Sequence, residues 1–424
     1  MNQTTVAGTT GVQSKDPYNV ESVRKDFPIL RQKMRGKRFV YLDNAATSLK
    51  PQSVIDAEIA YYTTMGANIH RGVYEFSERA TLAFDATRDG LRRFINAPDD
   101  GHIIFTKGAT EGINMVASGW GRKQLVEGDE IVTTEFEHHA DLVPWQELAR
   151  EKAITLKFFP VDPDSGVLRL EDIERTITER TKLVAITAMS NVTGYMPPVR
   201  EIAKIAHAHG AIVLVDGAQY VSHHPADVQE LDCDFLVFSG HKMLGPTGTG
   251  VLYGRERYLD QMAPYNYGGD MIVKVYKDHA TYRGLPERLE AGTPNVAGVI
   301  GLGAAVEYLT KLGMERVRTH ERNLLAYLLE ESEKVEGISV YATSDGEHRG
   351  GIFSFNVNEV HSHDTGAVLD SEGVAVRTGF HCAQPYMRFL GVPGTVRASL
   401  YLYNTREEID IFLSALAKVK DVFR

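Results

Sequence analysis

A lysine stands where a strand-like apolar run meets a glycine-rich loop. The run Phe235–Ser239 leads into Gly240-His241-Lys242, and the loop Gly245–Gly250 follows. An amine whose pKa is lowered by its surroundings could condense at such a junction with an aldehyde cofactor. A solvated loop lysine is the alternative, and it would be the better explanation if this residue stood alone.

A carboxylate and an amide upstream of the lysine indicate the kind of aldehyde. Asp216 ends the apolar run Ile212–Asp216, and Gln219 follows it closely. A buried carboxylate keeps a pyridine nitrogen protonated, which makes the ring an electron sink, and an amide can hydrogen-bond the ring's 3-oxygen. This combination favours pyridoxal phosphate, although an Asp after a strand is also a common helix N-cap.

Two further segments contain groups that could bind phosphate and move protons. Gly108–Gly112 opens a helix after the run Ile103–Thr106, so its backbone N–H groups and the Thr110 hydroxyl could bind phosphate. A helix capped by threonine is an equally good explanation. Next to another strand-like run, His138 or His139 could stack on a planar cofactor and shuttle protons. The histidine pair could also be half of a metal site, but no third ligand lies at metal spacing.

The two cysteines have different surroundings. Cys382 lies in the glycine-containing segment Arg377–Ala383, upstream of Arg397. An exposed loop thiol in a basic environment can be nucleophilic, and a guanidinium can bind a substrate carboxylate through two hydrogen bonds. Cys233 stands at the entry to an apolar run. We therefore predict that Cys382 is the functional thiol and that Cys233 is buried and inert.

The central part of the chain alternates between short β-branched runs and amphipathic stretches. This pattern predicts an α/β fold with a mostly parallel sheet covered by helices on both faces. The predicted strands are Ile103–Thr106, Glu130–Thr134, Thr155–Phe159, Leu183–Thr187, Ile212–Asp216 and Phe235–Ser239. The predicted helices are Ser53–Tyr62, Glu75–Phe94, Glu111–Ser118, Pro144–Lys152 and Arg200–His207.

The pattern changes after the Gly/Pro-containing segment Ala291–Pro294, where we place a domain boundary. Beyond it we predict helices from about Val299 to Leu312, at Arg316–Val335 and at Arg406–Val422, and strands at Ile352–Asn356 and Val374–Thr378. The chain is thus divided into a polar leader (1–18), an N-terminal segment that packs with the small domain (19–40), a large domain (41–295) and a small α+β domain (296–424).

Composition excludes several classes of protein. Of the 424 residues, 43% are hydrophobic and 24% are charged, as in soluble globular proteins. The formal charge of −10 argues against a broad surface for nucleic acid or anionic membranes. Two cysteines cannot form a disulfide framework or a structural zinc site. The first 30 residues lack a signal-like apolar core, and no apolar run reaches the ~18 residues of a membrane span. We expect a cytoplasmic protein with no bound metal.

Taken together, seven ordered motifs resemble the aminotransferase class V group of pyridoxal-phosphate enzymes, and within it the SufS-type (group II) cysteine desulfurases. The motifs are Tyr41–Ala46, Thr110–Asn114, Glu137–Ala140, Asp216–Gln219, Ser239–Lys242, Ala291–Asn295 and Arg377–Ala383. The resemblance runs from about Val20 to the C-terminus. It implies an aminotransferase-like fold (fold type I) with a seven-stranded large-domain sheet. It also implies conversion of L-cysteine to L-alanine, with the sulfur passed to an enzyme cysteine as a persulfide for iron–sulfur cluster assembly.

The resemblance implies a role for each matched residue. Lys242 would hold the cofactor as a Schiff base and move the substrate Cα proton, and Cys382 would accept the sulfur. Asp216 would pair with the pyridine nitrogen and Gln219 with the ring oxygen. His138 would stack on the ring and exchange protons.

The remaining matched residues would bind phosphate or substrate. The phosphate ligands would be Thr110, Ser239, His241 and Thr293, of which Thr293 would reach the site of the partner subunit in a homodimer. The substrate would be positioned by Asn191, Arg377 and Arg397, with Arg397 holding its carboxylate. Two positions depart from the family pattern: many relatives carry a second histidine where Phe380 stands, and a threonine where Ala109 stands.

Several alternatives stay open at this point. The sulfur acceptor could be a SufE-like thiol protein or a zinc-binding SufU-like one. A selenocysteine lyase or a cysteine-sulfinate desulfinase would share the cofactor residues and depend less on Cys382. An ordinary aminotransferase or epimerase would not need Cys382, and a non-catalytic scaffold would need none of the site residues.

Overall fold

The six predicted strands form most of a seven-stranded sheet, here called the large sheet. The structure, a computed structural model, describes residues 18–343 and 348–423, so the predicted leader lies outside the described residues except for Tyr18. In spatial order the strands are Gly101–Thr106, Gly250–Arg255, Phe235–Ser239, Ile212–Asp216, Thr181–Thr187, Glu130–Thr134 and Thr155–Phe159. Gly250–Arg255 runs antiparallel to both neighbours, and the other neighbours pair in parallel.

Strand Gly250–Arg255 was not among the predicted strands, because its first residue looks like the end of a glycine-rich loop. Gly250 packs on Gly108, and a Cβ added there would lie 2.4 Å from the Gly108 Cα. The glycine therefore permits close approach of two backbones inside the sheet rather than a turn.

Helices cover both faces of the large sheet. Val213 and Val215 of one central strand pack into one apolar cluster, and Ile212 and Leu214 pack into another, as expected when alternate side chains point to opposite faces.

The α-helices of this unit are Gln52–Ala60, Glu75–Phe94, Ala109–Val116, Arg122–Gln124, Val143–Lys152, Leu170–Thr176, Val199–Ala208, Tyr220–His223, Val228–Leu231, Glu256–Leu259 and Val296–Leu312. Tyr61–Met65 and Ala117–Gly121 are π-helical turns, and Pro28–Arg31, His139–Asp141, Gly240–Lys242 and Glu287–Leu289 are 3-10 turns. Ile272–Val275 and Ala280–Tyr282 form a separate hairpin.

The C-terminal part forms a smaller unit with an antiparallel sheet, the small sheet. Its strands, in spatial order, are Ile338–Tyr341, Ile352–Val357, Thr395–Ser399 and Arg377–Gly379. Its helices are Met314–Ser332, Ser362–Ser371, Gln384–Phe389 and Arg406–Val422. The predicted architecture, a mostly parallel large sheet plus a smaller α+β unit, is confirmed.

The single strand predicted at Val374–Thr378 is wrong. Val374–Ala375 pairs in parallel with Val40–Tyr41, whereas Arg377–Gly379 pairs antiparallel with Thr395–Ser399. The chain changes partner at Val376, and the apolar pattern continues across this point. Hydrophobic periodicity therefore does not indicate where the first strand ends and the second begins.

The helix after the predicted domain boundary packs with the large unit. In Val296–Leu312, Gly303 lies against Thr87, and Leu302 and Val306 join an apolar cluster of the large sheet. The Gly/Pro-containing segment thus leads into a helix N-terminus, where Asn295 accepts a hydrogen bond from the Gly298 N–H. The separate core of the small unit takes Val40 and Leu42 from the N-terminal part of the chain, and after the predicted boundary its first residue is Leu324, within the next helix.

The N-terminal segment contacts both units. It contains the helix Val20–Arg24 and the short hairpin strands Lys33–Met34 and Lys37–Arg38. Arg24 forms an ion pair with Glu408 (2.7 Å), which belongs to the last helix of the small unit. The Gln52 N–H, at the start of a large-unit helix, donates to the Asp26 carbonyl.

No single helix in the described part of the chain is both long and apolar enough to cross a membrane. The consecutive helices Val296–Leu312 and Met314–Ser332 would suffice as a pair by length and composition, with a bend of 75° between them.

Candidate active site

Lys242 and Asp216 meet at the carboxyl ends of two neighbouring parallel strands of the large sheet. Lys242 lies in the 3-10 turn after Phe235–Ser239, and Asp216 ends Ile212–Asp216. Burial lowers the pKa of the Lys242 amine to about 8, while the charge of Asp216 acts in the opposite direction. Burial likewise raises the pKa of the Asp216 carboxyl, which the charge of Lys242 opposes. The fold thus holds an amine that is partly neutral near physiological pH beside a buried carboxyl group.

The turn that carries Lys242 is anchored through one carbonyl. The His241 carbonyl accepts hydrogen bonds from the Ser48 N–H (2.9 Å), the Thr47 hydroxyl (3.0 Å) and the Lys50 ammonium (2.9 Å). These donors come from the segment that follows the Tyr41–Ala46 motif. They fix the peptide unit that precedes Lys242.

Gln219 and His138 are the other two residues predicted to contact the cofactor ring. Gln219 is buried; its Nε2 donates one hydrogen bond to the Ala45 carbonyl (2.8 Å), and its Oε1 has no partner. His138 accepts the Ala140 N–H at Nδ1 (3.1 Å), so a neutral ring carries its proton at Nε2. Burial, followed by the nearby charge of Lys242, lowers the pKa of His138 to about 3. The ring is therefore neutral at physiological pH.

The predicted phosphate ligands are only partly brought together. Ser239 is buried, and its hydroxyl accepts the Ala109 N–H (2.9 Å) at the start of helix Ala109–Val116. Thr110 is exposed in the first turn of the same helix. Burial, together with the charges of two lysines, lowers the pKa of His241 to about 4. Thr293 is exposed, and its hydroxyl accepts a hydrogen bond from the Asn68 amide (3.4 Å). No hydrogen bond within the described residues joins Thr293 to Thr110, Ser239 or His241.

Arg397 is a buried guanidinium on the small sheet with unused hydrogen-bonding capacity. Its Nη1 donates to the Asn191 carbonyl (2.8 Å) and its Nη2 to Asp43 (3.4 Å), while its Nε has no partner. Burial lowers the pKa of Arg397 to about 10, and Asp43 opposes this. Arg377 is exposed on the neighbouring strand, directly opposite Arg397. The site therefore contains a buried cation with free N–H groups, as recognition of an anion requires.

Cys382 lies on the loop that joins strand Arg377–Gly379 to helix Gln384–Phe389. It is partly exposed, and it is near enough to Lys242 and Arg397 for a negative charge on its sulfur to raise the pKa of both groups. Cys233 is fully buried, its thiol faces the Val228 carbonyl, and burial raises the pKa of that thiol. The prediction that Cys233 is a buried thiol is confirmed.

Three residues hold parts of this site in place in ways that the sequence analysis did not predict. Asp43 is the counter-ion of Arg397, Lys50 anchors the Lys242 turn, and His139 contacts the loop of Cys382. Asp43 stands inside a family motif, which was a signal for it. Lys50 and His139 act on segments far away in the chain, and the sequence contains no signal for those contacts.

Comparison with known proteins identifies the class. The chain matches the family model for aminotransferase class-V over residues 40–412 and belongs to that family. Its relatives include the probable cysteine desulfurase of Halalkalibacterium halodurans, 49% identical over 405 residues, which are 96% of this chain and 99% of that protein. The probable cysteine desulfurase of Staphylococcus aureus strain Mu50 is also 49% identical, over 96% of this chain and 98% of that protein.

Solved structures agree. The apo cysteine desulfurase from Thermococcus onnurineus NA1 has a TM-score of 0.90 and 42% identity, covering 95% of this chain and 98% of that one. The cysteine desulfurase CsdA from Escherichia coli has a TM-score of 0.88 and 39% identity, covering 96% of this chain and 100% of that one. The predicted family and its aminotransferase-like fold are confirmed. Membership of the SufS-type subgroup stays a prediction.

Proposed function

We propose that this chain is a cysteine desulfurase that converts L-cysteine to L-alanine and transfers the sulfur to Cys382. The observation that carries the proposal is the convergence of three groups from two units. These groups are the Lys242 amine, whose pKa is lowered to about 8, the buried Arg397 guanidinium with free N–H groups, and the partly exposed Cys382 thiol. Asn191 hydrogen-bonds both Arg397 and the loop of Cys382, and the charge of Arg397 contributes to the lowered pKa of Lys242.

Pyridoxal phosphate is the cofactor of this enzyme, and the residues present fit it. The Oε1 of the buried Gln219 has no hydrogen-bond partner, and the Asp216 carboxyl group, three residues earlier in the chain, is buried as well. The start of helix Ala109–Val116, with the Ser239 hydroxyl against it, suits a phosphate. Asp216, Gln219 and His138 would hold the ring, and Thr110, Ser239 and His241 the phosphate. When bound, the cofactor supplies an electron sink for negative charge at the substrate Cα.

The chain's own residues have separate roles in the reaction. Arg397 holds the substrate carboxylate through its free N–H groups, Asp43 keeps the guanidinium oriented, and the exposed Arg377 adds positive charge beside it. The neutral fraction of the Lys242 amine takes the Cα proton. The thiolate of Cys382 attacks the substrate sulfur, so that an S–S bond forms on Cys382 while the substrate Cβ–S bond breaks and leaves its electron pair on the carbon skeleton. Protonation of that carbon skeleton gives alanine, and the persulfide stays on Cys382. His138 holds a proton at Nε2 for these transfers, and Asn191 supports both Arg397 and the Cys382 loop.

The direct test measures alanine and protein-bound sulfur together. Purified enzyme is mixed with L-cysteine, alanine is quantified, and mass spectrometry locates the extra sulfur, with Cys233→Ala as the matched thiol control. We expect alanine and a persulfide on the Cys382 peptide in both proteins. Alanine release with no sulfur on Cys382, or faster turnover of L-selenocysteine or L-cysteine sulfinate than of L-cysteine, would favour a lyase or desulfinase instead.

We further propose a homodimer in which Thr293 completes the partner's phosphate site. An exposed apolar surface beside Thr293 supports this. It combines a loop containing the fully exposed Val73 with the hairpin residues Val273 and Val275. Contacts between Asn68 and Thr293, Arg71 and Asp270, and Gly292 and Gly269 connect these segments. Equilibrium sedimentation should report a dimer, and Val73→Asp should weaken it. A fully active monomer that retains its cofactor would contradict the proposal.

We propose that the sulfur supplies iron–sulfur cluster assembly in the cytoplasm, through a SufE-like or SufU-like acceptor. The SufS-type resemblance supports this role. Adding each acceptor class to enzyme and L-cysteine should identify the acceptor as the one that accelerates alanine formation and takes the persulfide sulfur. If neither acceptor changes the rate, this cellular role is wrong even if the desulfurase activity stands.

A further inference from the structure

Two loops from different units are joined at the proposed site. One is the turn of the large unit that carries His138 and His139, and the other is the loop of Cys382. The His139 N–H donates to the Cys382 carbonyl (2.7 Å), and the Gln384 N–H donates to His139 Nε2 (3.1 Å). The rings of His139 and Phe380 are stacked, with centroids 6.0 Å apart and planes at 28°. One side chain therefore contacts the Cys382 loop on both sides of the thiol.

The backbone of the Cys382 loop has an unfavourable conformation that surrounding contacts must stabilise. His381 and Cys382 have φ angles of 50° and 55°, in the left-handed region that non-glycine residues seldom adopt. Two other contacts help: the Asn191 amide donates to the His381 carbonyl (2.7 Å), and the His381 ring contacts Thr395. Such a conformation persists only where several contacts determine it together.

The contact at His139 Nε2 depends on protonation. A ring nitrogen that accepts the Gln384 N–H cannot carry a proton, so the neutral ring has its proton at Nδ1. Partial burial lowers the pKa of His139, which favours the neutral form. The titratable or charged groups around this ring are His138 on the same turn, Cys382 on the facing loop, and Arg122, Glu147 and Tyr265 around the adjoining cavity.

We propose that His139 is a positioning residue for Cys382: the neutral ring holds the sulfur-accepting loop in place, and protonation of the ring releases it. This inference rests on the proposed function in one respect, that Cys382 accepts the sulfur. Phe380, which departs from the family pattern, gains a role as the aromatic surface on which His139 stacks.

The test compares two substitutions in the holoenzyme. His139→Leu removes the acceptor, whereas His139→Gln places an amide oxygen near the Nε2 position that does not titrate. The readouts are the rate at which iodoacetamide alkylates Cys382 and the hydrogen exchange of residues 379–389, both from pH 5 to 8. His363→Leu, on the exposed face of helix Ser362–Ser371, is the matched control. Equal cofactor absorbance and thermal unfolding show that the variants are folded.

Loss of one hydrogen bond should raise alkylation and loop exchange in His139→Leu about 2- to 10-fold over wild type at pH 8. The ratio should fall as the pH is lowered from 8 to 5, because protonation of His139 increasingly releases the wild-type loop too. His139→Gln should keep the loop protected at pH 5, and His363→Leu should match wild type throughout. Alanine formation should be lower in His139→Leu than in His139→Gln.

Two results would overturn the inference: unchanged alkylation and exchange in His139→Leu, or the same pH dependence in His139→Gln as in wild type. If His139→Leu does not fold, the comparison of His139→Gln with wild type still decides the question. Alkylation and exchange need no turnover. A failure of the proposed function, seen as a wild-type enzyme that makes no alanine, is therefore distinguishable from a failure of this inference.

Discussion

Replacing Arg397 with lysine should weaken substrate recognition while it keeps the positive charge. In the structure the guanidinium donates one hydrogen bond to Asn191 and one to Asp43, which leaves Nε and further N–H groups for a carboxylate. An ammonium group lacks the planar fork, so it can serve Asp43 or the substrate but not both with good geometry. A hydrogen bond to a charged group contributes about 1.5–3 kcal/mol. Losing one should lower kcat/KM about 10- to 150-fold.

The assay is alanine formation over a range of L-cysteine concentrations. The effect should appear mainly in KM, because the carboxylate contact is the same in the ground state and the transition state. Arg377→Lys is the matched control: this arginine is exposed, and an exposed ion pair contributes only about 0–1 kcal/mol, so kcat/KM should fall less than about fivefold. If Arg397→Lys stays within twofold of wild type while Arg377→Lys falls further, the carboxylate is bound at Arg377 and the reasoning fails.

Four other outcomes follow from the same geometry. Lys242→Ala should leave no cofactor that borohydride can fix to the protein, and retention at wild-type level would show that another amine holds it. Recapture of pyridoxal phosphate by apoenzyme should accelerate as pH rises through about 8, because the Lys242 amine loses its proton there; a flat rate profile would contradict this. Asp216→Asn should retain cofactor yet slow alanine formation strongly, since an amide does not stabilise a pyridinium charge as a carboxylate does. Cys382→Ala should still bind L-cysteine, measured as a change in cofactor absorbance, but should release no alanine. Cys233→Ala should change only the melting temperature.

Local sequence was sufficient for much of the fold. Apolar β-branched runs predicted six strands of the large sheet. Central parallel strands such as Ile212–Asp216 and Phe235–Ser239 are buried along their whole length, which is where such runs are expected. Local sequence failed where the residues of a segment do not indicate that it is a strand or which strand it pairs with. Gly250 begins a strand although glycine commonly marks a loop, and Val376 separates two strands that have different partners.

The site shows the same division. Lys242 and Asp216 could be paired in advance because each lies at the carboxyl end of a predicted strand, and neighbouring parallel strands bring their carboxyl ends together. The Asp43–Arg397 pair and the His139–Gln384 contact join segments 354 and 245 residues apart. The packing of the two units determines such contacts. The motif that contains Asp43 marks that residue but does not identify Arg397 as its partner, and nothing near His139 identifies Gln384.

The contacts of the N-terminal segment affect how the protein folds during translation. Tyr18 donates its hydroxyl proton to the carbonyl of Leu402, 384 residues later, and Arg24 pairs with Glu408. At a translation rate of about 5–20 residues per second, the earliest residues wait roughly 20–80 s for these partners to leave the ribosome. The large sheet can assemble during this time, but Asp43 must wait for Arg397 as well. A nascent chain that stops before residue 397 therefore has Asp216 and the turn of Lys242 but lacks Arg397, the residue proposed to hold the substrate carboxylate.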